Sequence, residues 1–265
     1  MAGLAGDGTR RGAGRRMGVD FFLLAAIGFF AQLIDGALGM AFGVISTSAM
    51  LTMGVPVAQA SAMVHTAEVF TTAASAVSHI AHGNVDWKLV ARLGIGGIVG
   101  AVLGAWVLSN VDASAARPVV AGYLLLLGIF ILLKAARKIP RRDAPVKLAP
   151  PLGLIGGFLD ACGGGGWGPM VASTLIGSGQ APRQAVGSVN TTEFFVTTAA
   201  ATTFFVQLGI APWQELIALV IGGVLAAPLG GWAVKRLPAR VLMTMVGIVV
   251  VTLSAWQLAR TLKFL

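Results

Sequence analysis

The sequence predicts an all-α, polytopic membrane protein of about eight transmembrane helices. They come from two tandem homologous repeats, each beginning with a glycine-broken helix. Three observations carry this prediction. Apolar residues fill 56% of the 265 positions and charged residues only 11%, against about 25% charged in soluble domains. A soluble fold of this size leaves roughly a quarter of its unfolded surface exposed, so it could not hide that much apolar area. The chain also matches itself at an offset of 125 residues, placing Asp35 on Asp160, Gly54 on Gly179, Gln59 on Gln184, Thr66 on Thr191, Glu68 on Glu193 and Gly97 on Gly222. Finally, four of the ten acids (Asp35, Glu68, Asp160 and Glu193) interrupt apolar segments, as two pairs one offset apart.

In chain order, residues 1–17 read as a disordered basic cytoplasmic tail carrying Arg10, Arg11, Arg15 and Arg16. The apolar run that follows has the look of a signal peptide. Its internal copy near Pro151 cannot be a cleaved leader, so both are kept as membrane helices. The first repeat spans 18–138 and the second 150–265, joined by a basic, Pro-rich cytoplasmic linker at 139–149. Each repeat opens with the broken element (20–53, then 151–179). Next come an Ala- and Thr-rich helix (57–82, 181–207), a third helix (88–109, 213–235) and a fourth (114–136, 238–260). The last three are long enough to cross about 30 Å of hydrocarbon. The broken element is either one interrupted span or two short re-entrant arms. Four crossings per half, with the N-terminus cytoplasmic, put Lys88, Arg92 and the basic linker inside and leave Arg117, Arg183, Lys235, Arg236 and Arg240 outside. That agrees with the positive-inside tendency except at the cluster Lys235, Arg236, Arg240. An even number of crossings makes the halves parallel repeats.

Composition also excludes classes. Lys and Arg outnumber Asp and Glu by 19 to 10, yet they gather beside apolar spans rather than in a basic stripe with aromatics, so the expected partner is a lipid bilayer and not nucleic acid. Cys162 is the only cysteine, which removes disulfides and cysteine metal cages. There is no Walker phosphate loop. No cofactor and no metal ligand set is assigned: His79 and His82 stand at i, i+3 without a third ligand, and read as a solvated helix end. A homo-oligomer is compatible with the chain.

The candidate site residues form three groups. A carboxylate at membrane depth costs about 2.5–3.5 kcal/mol on insertion scales, and so faces a cavity or a partner. Asp35, Glu68, Asp160 and Glu193 are therefore expected as proton-coupling or gating acids. Asp35 and Asp160 beside helix breaks equally suit helix capping. The breaks themselves contain Gly36, Gly39 and Gly43 in the first repeat and Gly163, Gly164, Gly165 and Gly166 in the second. Unwound backbone there would turn free N–H groups and a positive helix end toward an anion. Close helix packing is the alternative use of those glycines. On the helix after each break, His65 and Asn190 align, each three residues before its glutamate and on the same face. Thr66, Asn190 and Thr191 are expected to line the substrate path, with His65 assisting the acids, although Thr also joins membrane helices. Gly97, Ala101 and Ala105, recurring as Gly222, Ala226 and Gly230, read as a packing stripe.

These residues resemble the sulfite exporter TauE/SafE family, also called toluene-sulfonate uptake permeases. The resemblance covers about residues 20–260. It rests on Ile34-Asp35-Gly36-Ala37-Leu38-Gly39-Met40, on Leu159-Asp160 through Gly168-Pro169, and on Gly187-Ser188-Val189-Asn190-Thr191-Thr192-Glu193. It implies a multi-pass inner-membrane carrier for sulfur-containing oxyanions and sulfonates, without an ATP-binding domain. The first repeat departs from the second in lacking the dense glycine run and the proline. The expectation is a secondary transporter of a small anion such as sulfite or a sulfonate, coupled to protons. A cation or metal exporter, and a membrane-embedded enzyme or assembly factor, are the other readings.

Overall fold

The computed structural model describes residues 7–136, 148–178, 180–209, 213–233 and 239–262. Among them there are ten α-helices and no strand: α1 (Asp7–Leu38), α2 (Phe42–Thr52), α3 (Val57–Ala81), α4 (Trp87–Asn110), α5 (Ala113–Ala136), α6 (Ala149–Gly163), α7 (Ser173–Gly177), α8 (Pro182–Leu208), α9 (Trp213–Ala233) and α10 (Ala239–Thr261). A π turn at Gly168–Ala172 leads into α7. The linker residues up to 147, the Gly179 turn, Lys235 and Arg236 lie outside the described residues. Helix α1 begins at Asp7, inside the segment expected as a disordered tail.

Polarity is arranged inside out. Phe22, Val77, Ile95, Val119, Leu126, Val206, Leu225 and Ile248 face outward, while Ser46, Thr47, Ser61, His65, Glu68, Thr71, Asn190, Thr192 and Glu193 are buried. That distribution is stable only where the surrounding solvent is hydrocarbon. Helices α4 and α5 and residues Met243–Thr261 of α10 are long and apolar enough to cross a membrane, and Phe21–Gly36, Phe42–Thr52 and Trp213–Leu229 are shorter apolar stretches. Helices α3 and α8 have 25 and 27 residues, about 37 and 40 Å at 1.5 Å per residue. They span by length, but their polar faces keep them from reading as apolar. They form the centre of the molecule.

Small residues let these helices touch backbone to backbone. A methyl group at Gly96, Gly100 or Gly104 of α4 would lie 2.1–2.4 Å from the carbonyl oxygens of Pro150, Leu154 and Phe158 on α6. Gly153 and Gly157 of α6 fit equally close to Leu93 and Gly97. Helix α9 meets α1 the same way: Gly222 sits against Ala25 and Phe29, and Gly28 against Leu219. The packing role expected for Gly97, Ala101 and Ala105 fits this picture, because both alanines are fully buried and Gly97 admits the rings and methyls of Trp167 and Val196.

The same contacts fix helix directions, and they correct the expected topology. Residues 96, 100 and 104 of α4 meet 150, 154 and 158 of α6, so these helices are parallel. Gly94 and Gly97 meet Thr192 and Val196, so α4 and α8 are also parallel. Arg183 at the start of α8 bonds the His82 carbonyl, 2.9 Å, and the Asn84 side chain at the end of α3, making α3 and α8 antiparallel. Gly128 meets Val251 and Gly247 meets Leu132, making α5 and α10 antiparallel. Since α6 and α8 point the same way, α7 must return between them. Each broken element is therefore a re-entrant hairpin, α1–α2 or α6–α7, and each half adds three full-length helices to it. An odd number of crossings sets the halves in opposite senses, not parallel. The eight elements read from sequence become ten because two of them fold back.

Candidate functional site

The two hairpin tips meet at the centre. Gly168 of the second tip lies against the backbone of Gly39 and Met40 in the first, with room for no methyl: one would fall 2.1 Å from the Gly39 carbonyl oxygen. Gly165 sits as close to Gly43 and Val44. Between the tips is a cavity of about 10 Å³ lined by Asp35, Met40, Ala41, Gly43, Val44, Glu68, Asp160, Gly166, Gly168, Pro169 and Glu193. That is room for about one water molecule, so a four-atom oxyanion needs the tips to part. All four acids singled out from sequence converge here, and none of the lining residues is a Lys or Arg.

Each Asp closes its own hairpin. Asp35 Oδ1 accepts hydrogen bonds from Ala41 N–H at 2.7 Å and Phe42 N–H at 3.2 Å, at the start of α2. Asp160 Oδ1 accepts from Trp167 N–H at 2.9 Å, at the start of the π turn. The capping use of the Asp pair is thus realised. It also corrects one expectation: at these three positions the helix-start N–H groups are held by the protein's own carboxylates and are not free.

The glycines divide by role. Gly164 takes φ +69° as the left-handed cap of α6, and its carbonyl accepts from Thr47 Oγ1. Gly163 and Gly166 press on Tyr123, whose hydroxyl donates to the Gly165 carbonyl at 3.1 Å. Gly43, Gly166 and Gly168 border the cavity. Gly39 turns the first hairpin at φ +66° next to the Asn190 amide. Gly36 lies within α1, short of the turn. Thr66 and Thr191 donate their hydroxyl protons to the carbonyls of Ala62 and Gly187 in their own helices, 2.7 Å each, which leaves those hydroxyls only as acceptors.

The glutamates are different. Glu68 and Glu193 are 3% and 6% exposed, and each keeps a carboxylate oxygen, Oε2, with no hydrogen-bond partner. They come from α3 and α8, one in each half. His65, one turn before Glu68, reaches across the halves: its Nε2 is 3.2 Å from Asp160 Oδ2. Asn190, in the matching place, bonds only back to Val186 and leaves Oδ1 unpaired. His79 and His82 are at the exposed end of α3, where His82 bonds the Ser78 carbonyl.

Sequence reasoning missed Ser61, Thr47, Tyr123 and Trp167. Ser61 Oγ donates to the Ala161 carbonyl at 2.7 Å, tying α3 to the second hairpin. Tyr123, the only tyrosine, carried a signal in being a lone phenol in an apolar helix. Nothing distinguished Ser61 from the many small polar residues of α3.

Comparison with known proteins gives the family. The family description "Sulfite exporter TauE/SafE" matches residues 24–256. The Probable membrane transporter protein YtnM of Bacillus subtilis (strain 168) is 43% identical over 242 residues, covering 88% of this chain and 81% of the relative. No solved structure matches. The matched segment contains both hairpin tips and every residue of the central cavity, and this chain belongs to the sulfite exporter TauE/SafE family, as a membrane transporter and not an enzyme.

Proposed function

We propose that the protein is a secondary permease for a small sulfur-containing oxyanion, sulfite or an organosulfonate, and that protons move with it. The observation that carries the reading is the pair Glu68 and Glu193. Each is buried, each has an unpartnered oxygen, and both border one cavity where two re-entrant hairpins meet. Substrate sites at the meeting of oppositely oriented halves, beside interrupted helices, are a recurrent transporter design. The sulfur oxyanion comes from the family description.

Proton coupling follows from charge. Asp35, Glu68, Asp160 and Glu193 face one small cavity, with His65 against Asp160 and the Tyr123 hydroxyl on the Gly165 carbonyl beside it. Carboxylates so close repel one another, so a positive charge arriving among them, a proton included, lowers the electrostatic cost of the site. An arriving anion makes ionisation costlier still, so it binds with protons. By reciprocity, protons then favour anion binding. Anion and proton therefore travel the same way.

The membrane orientation is part of the same proposal. Lys88, Arg92, Lys134, Arg183 and Arg240 stand at the end of the molecule where α3 finishes and the linker, with Arg137, Lys138, Arg141, Arg142 and Lys147 in its sequence, joins α5 to α6, whereas Arg10, Arg11, Arg15 and Arg16 of α1, with Arg117 and Arg260, stand at the other. The positive-inside tendency makes the linker face cytoplasmic in a cell membrane. Helix α1 enters from the opposite face, so the N-terminus and the linker lie on different sides, and the N-terminus is external.

Proteoliposomes test this. Sulfite or toluene-sulfonate uptake should rise several-fold when the outside is made acidic, and should collapse when the pH gradient is dissipated. Flux indifferent to the gradient removes proton coupling, and no flux of any sulfur oxyanion removes the substrate. Single cysteines at Asp112 and at the N-terminus should label from one side and at Lys88 from the other; the N-terminus and Lys88 labelled from one side would overturn the inverted arrangement.

A further inference from the structure

We propose that His65, Glu68 and Asp160 form a binding site for a divalent first-row transition-metal ion, with Glu193 bordering the same cavity as a further oxygen donor. One His Nε or Nδ atom and one carboxylate oxygen each from Glu68 and Asp160 lie within 4.8 Å of one another, all buried.

The tautomer of His65 is what turns a cluster of acids into a ligand set. Its Nδ1 is 2.8 Å from the Ser61 carbonyl oxygen and 3.2 Å from Ser61 Oγ. The Ser61 hydroxyl proton is already given to the Ala161 carbonyl. Both neighbours of Nδ1 are therefore acceptors, and Nδ1 carries the ring proton. In the neutral imidazole Nε2 is then a bare lone pair, and it faces Asp160 Oδ2 at 3.2 Å. Two acceptors in contact need a positive charge between them, supplied either by a second ring proton on Nε2, which makes the contact a His–Asp ion pair, or by a metal ion. Metal-binding histidines characteristically donate the other ring N–H to a backbone carbonyl, as His65 does to Ser61.

The second, independent sign is the unpartnered Oε2 of Glu68, 97% buried and bordering the cavity. Asp160 is held in place by Trp167 N–H on its other oxygen. One imidazole and two or three carboxylates suit Mn²⁺, Fe²⁺, Co²⁺ or Zn²⁺ better than an all-oxygen ion such as Mg²⁺. A cavity of about 10 Å³ admits a single bare ion although it excludes an oxyanion. Such an ion would also supply the positive charge that the lining side chains lack. This inference does not depend on the sulfur-oxyanion reading, and because the ligands must be deprotonated the ion and the coupling protons compete for the same carboxylates.

The test uses Co²⁺ as the probe, titrated into the purified full chain in lipid nanodiscs. One Co²⁺ per chain with a visible d–d absorption band, displaced by Zn²⁺, is the expected result. His65→Asn copies the residue at the matching place in α8, and Glu68→Gln keeps volume. Each should weaken binding by more than the roughly 10–100-fold that loss of an outer-shell partner costs. Should His65→Asn fail to fold, Glu68→Gln and histidine ¹⁵N shifts carry the test alone: metal must perturb Nε2 and leave Nδ1 protonated. No band at millimolar Co²⁺, an unchanged affinity in both variants, or an imidazolium ring persisting with excess metal each overturns the proposal. Sulfite flux measured on the same samples reports separately, so loss of flux with intact cobalt binding condemns only the oxyanion reading.

Discussion

The two re-entrant hairpins are built on one plan and held differently. The second is tied to the opposite half by four side chains: His65 on Asp160, Ser61 on the Ala161 carbonyl, Thr47 on the Gly164 carbonyl and Tyr123 on the Gly165 carbonyl. Among the described residues, the tip of the first, residues 35–43, receives no hydrogen bond from a side chain of the other half; Asp35 merely caps its own α2. Sequence explains the contrast. The second tip has four glycines in a row, exposing carbonyls to neighbours, and the first has Ala, Leu and Met between its glycines. The lesson is that duplicated motifs need not keep equal duties. The second hairpin is clamped to the first half, and the first is free of that clamp.

The largest effect expected is where the hairpins touch. Gly168→Ala would put a methyl 2.1 Å from the Gly39 carbonyl oxygen and 2.4 Å from Met40 Cα. Backbone must move on both sides, so a loss at the upper end of about 1–3 kcal/mol for overpacking is expected, read as a lower melting temperature in detergent. A wild-type melting temperature would mean that the tips separate freely.

Next come the glutamates. Glu68→Gln and Glu193→Gln should each abolish pH-driven flux in proteoliposomes while the melting temperature holds or rises, because an unpartnered buried acid is replaced by a neutral group. Wild-type proton-driven flux in both variants would make the pair structural. Unequal loss would extend the asymmetry of the hairpins to their neighbouring helices.

Gly164→Ala and Gly39→Ala compare the hairpins directly. Both glycines have left-handed φ, +69° and +66°, which costs another residue roughly 1–2 kcal/mol. At Gly164 the methyl also meets Thr47 at 2.5 Å, whereas at Gly39 its nearest neighbours are side-chain atoms at 3.2 Å. Gly164→Ala should therefore destabilise more. Equal melting-temperature shifts would erase the distinction. The smallest effect belongs to Tyr123→Phe, which removes the hydrogen bond to Gly165, worth about 0.5–1.5 kcal/mol. A shift larger than that would point to a wider role for the phenol.

Much of the site was legible in the order of residues. Asp35, Glu68, Asp160 and Glu193 stood out because a charge inside an apolar run demands a reason, and all four border one cavity. The threonines were legible as polar but not as spent. Only helical geometry shows that Thr66 and Thr191 give their protons to carbonyls four residues back. The N–H groups at the breaks looked free from sequence, since nothing in the order of residues says that Asp35 accepts from the N–H groups six and seven positions ahead.

Composition by itself determined the solvent, since 56% apolar and 11% charged residues cannot be reconciled with water on all sides. Periodicity and length then determined helices, and glycine runs determined where they break, because these are local properties of the chain. The tertiary structure decided what local properties cannot: that each broken element turns back, that the halves consequently face opposite ways, and that His65 meets Asp160 across 95 residues of sequence. A turn that reverses a helix and one that continues it use the same glycines. Which of the two forms depends on whether α6 finds its parallel groove on α4, a contact between small residues far apart in the chain.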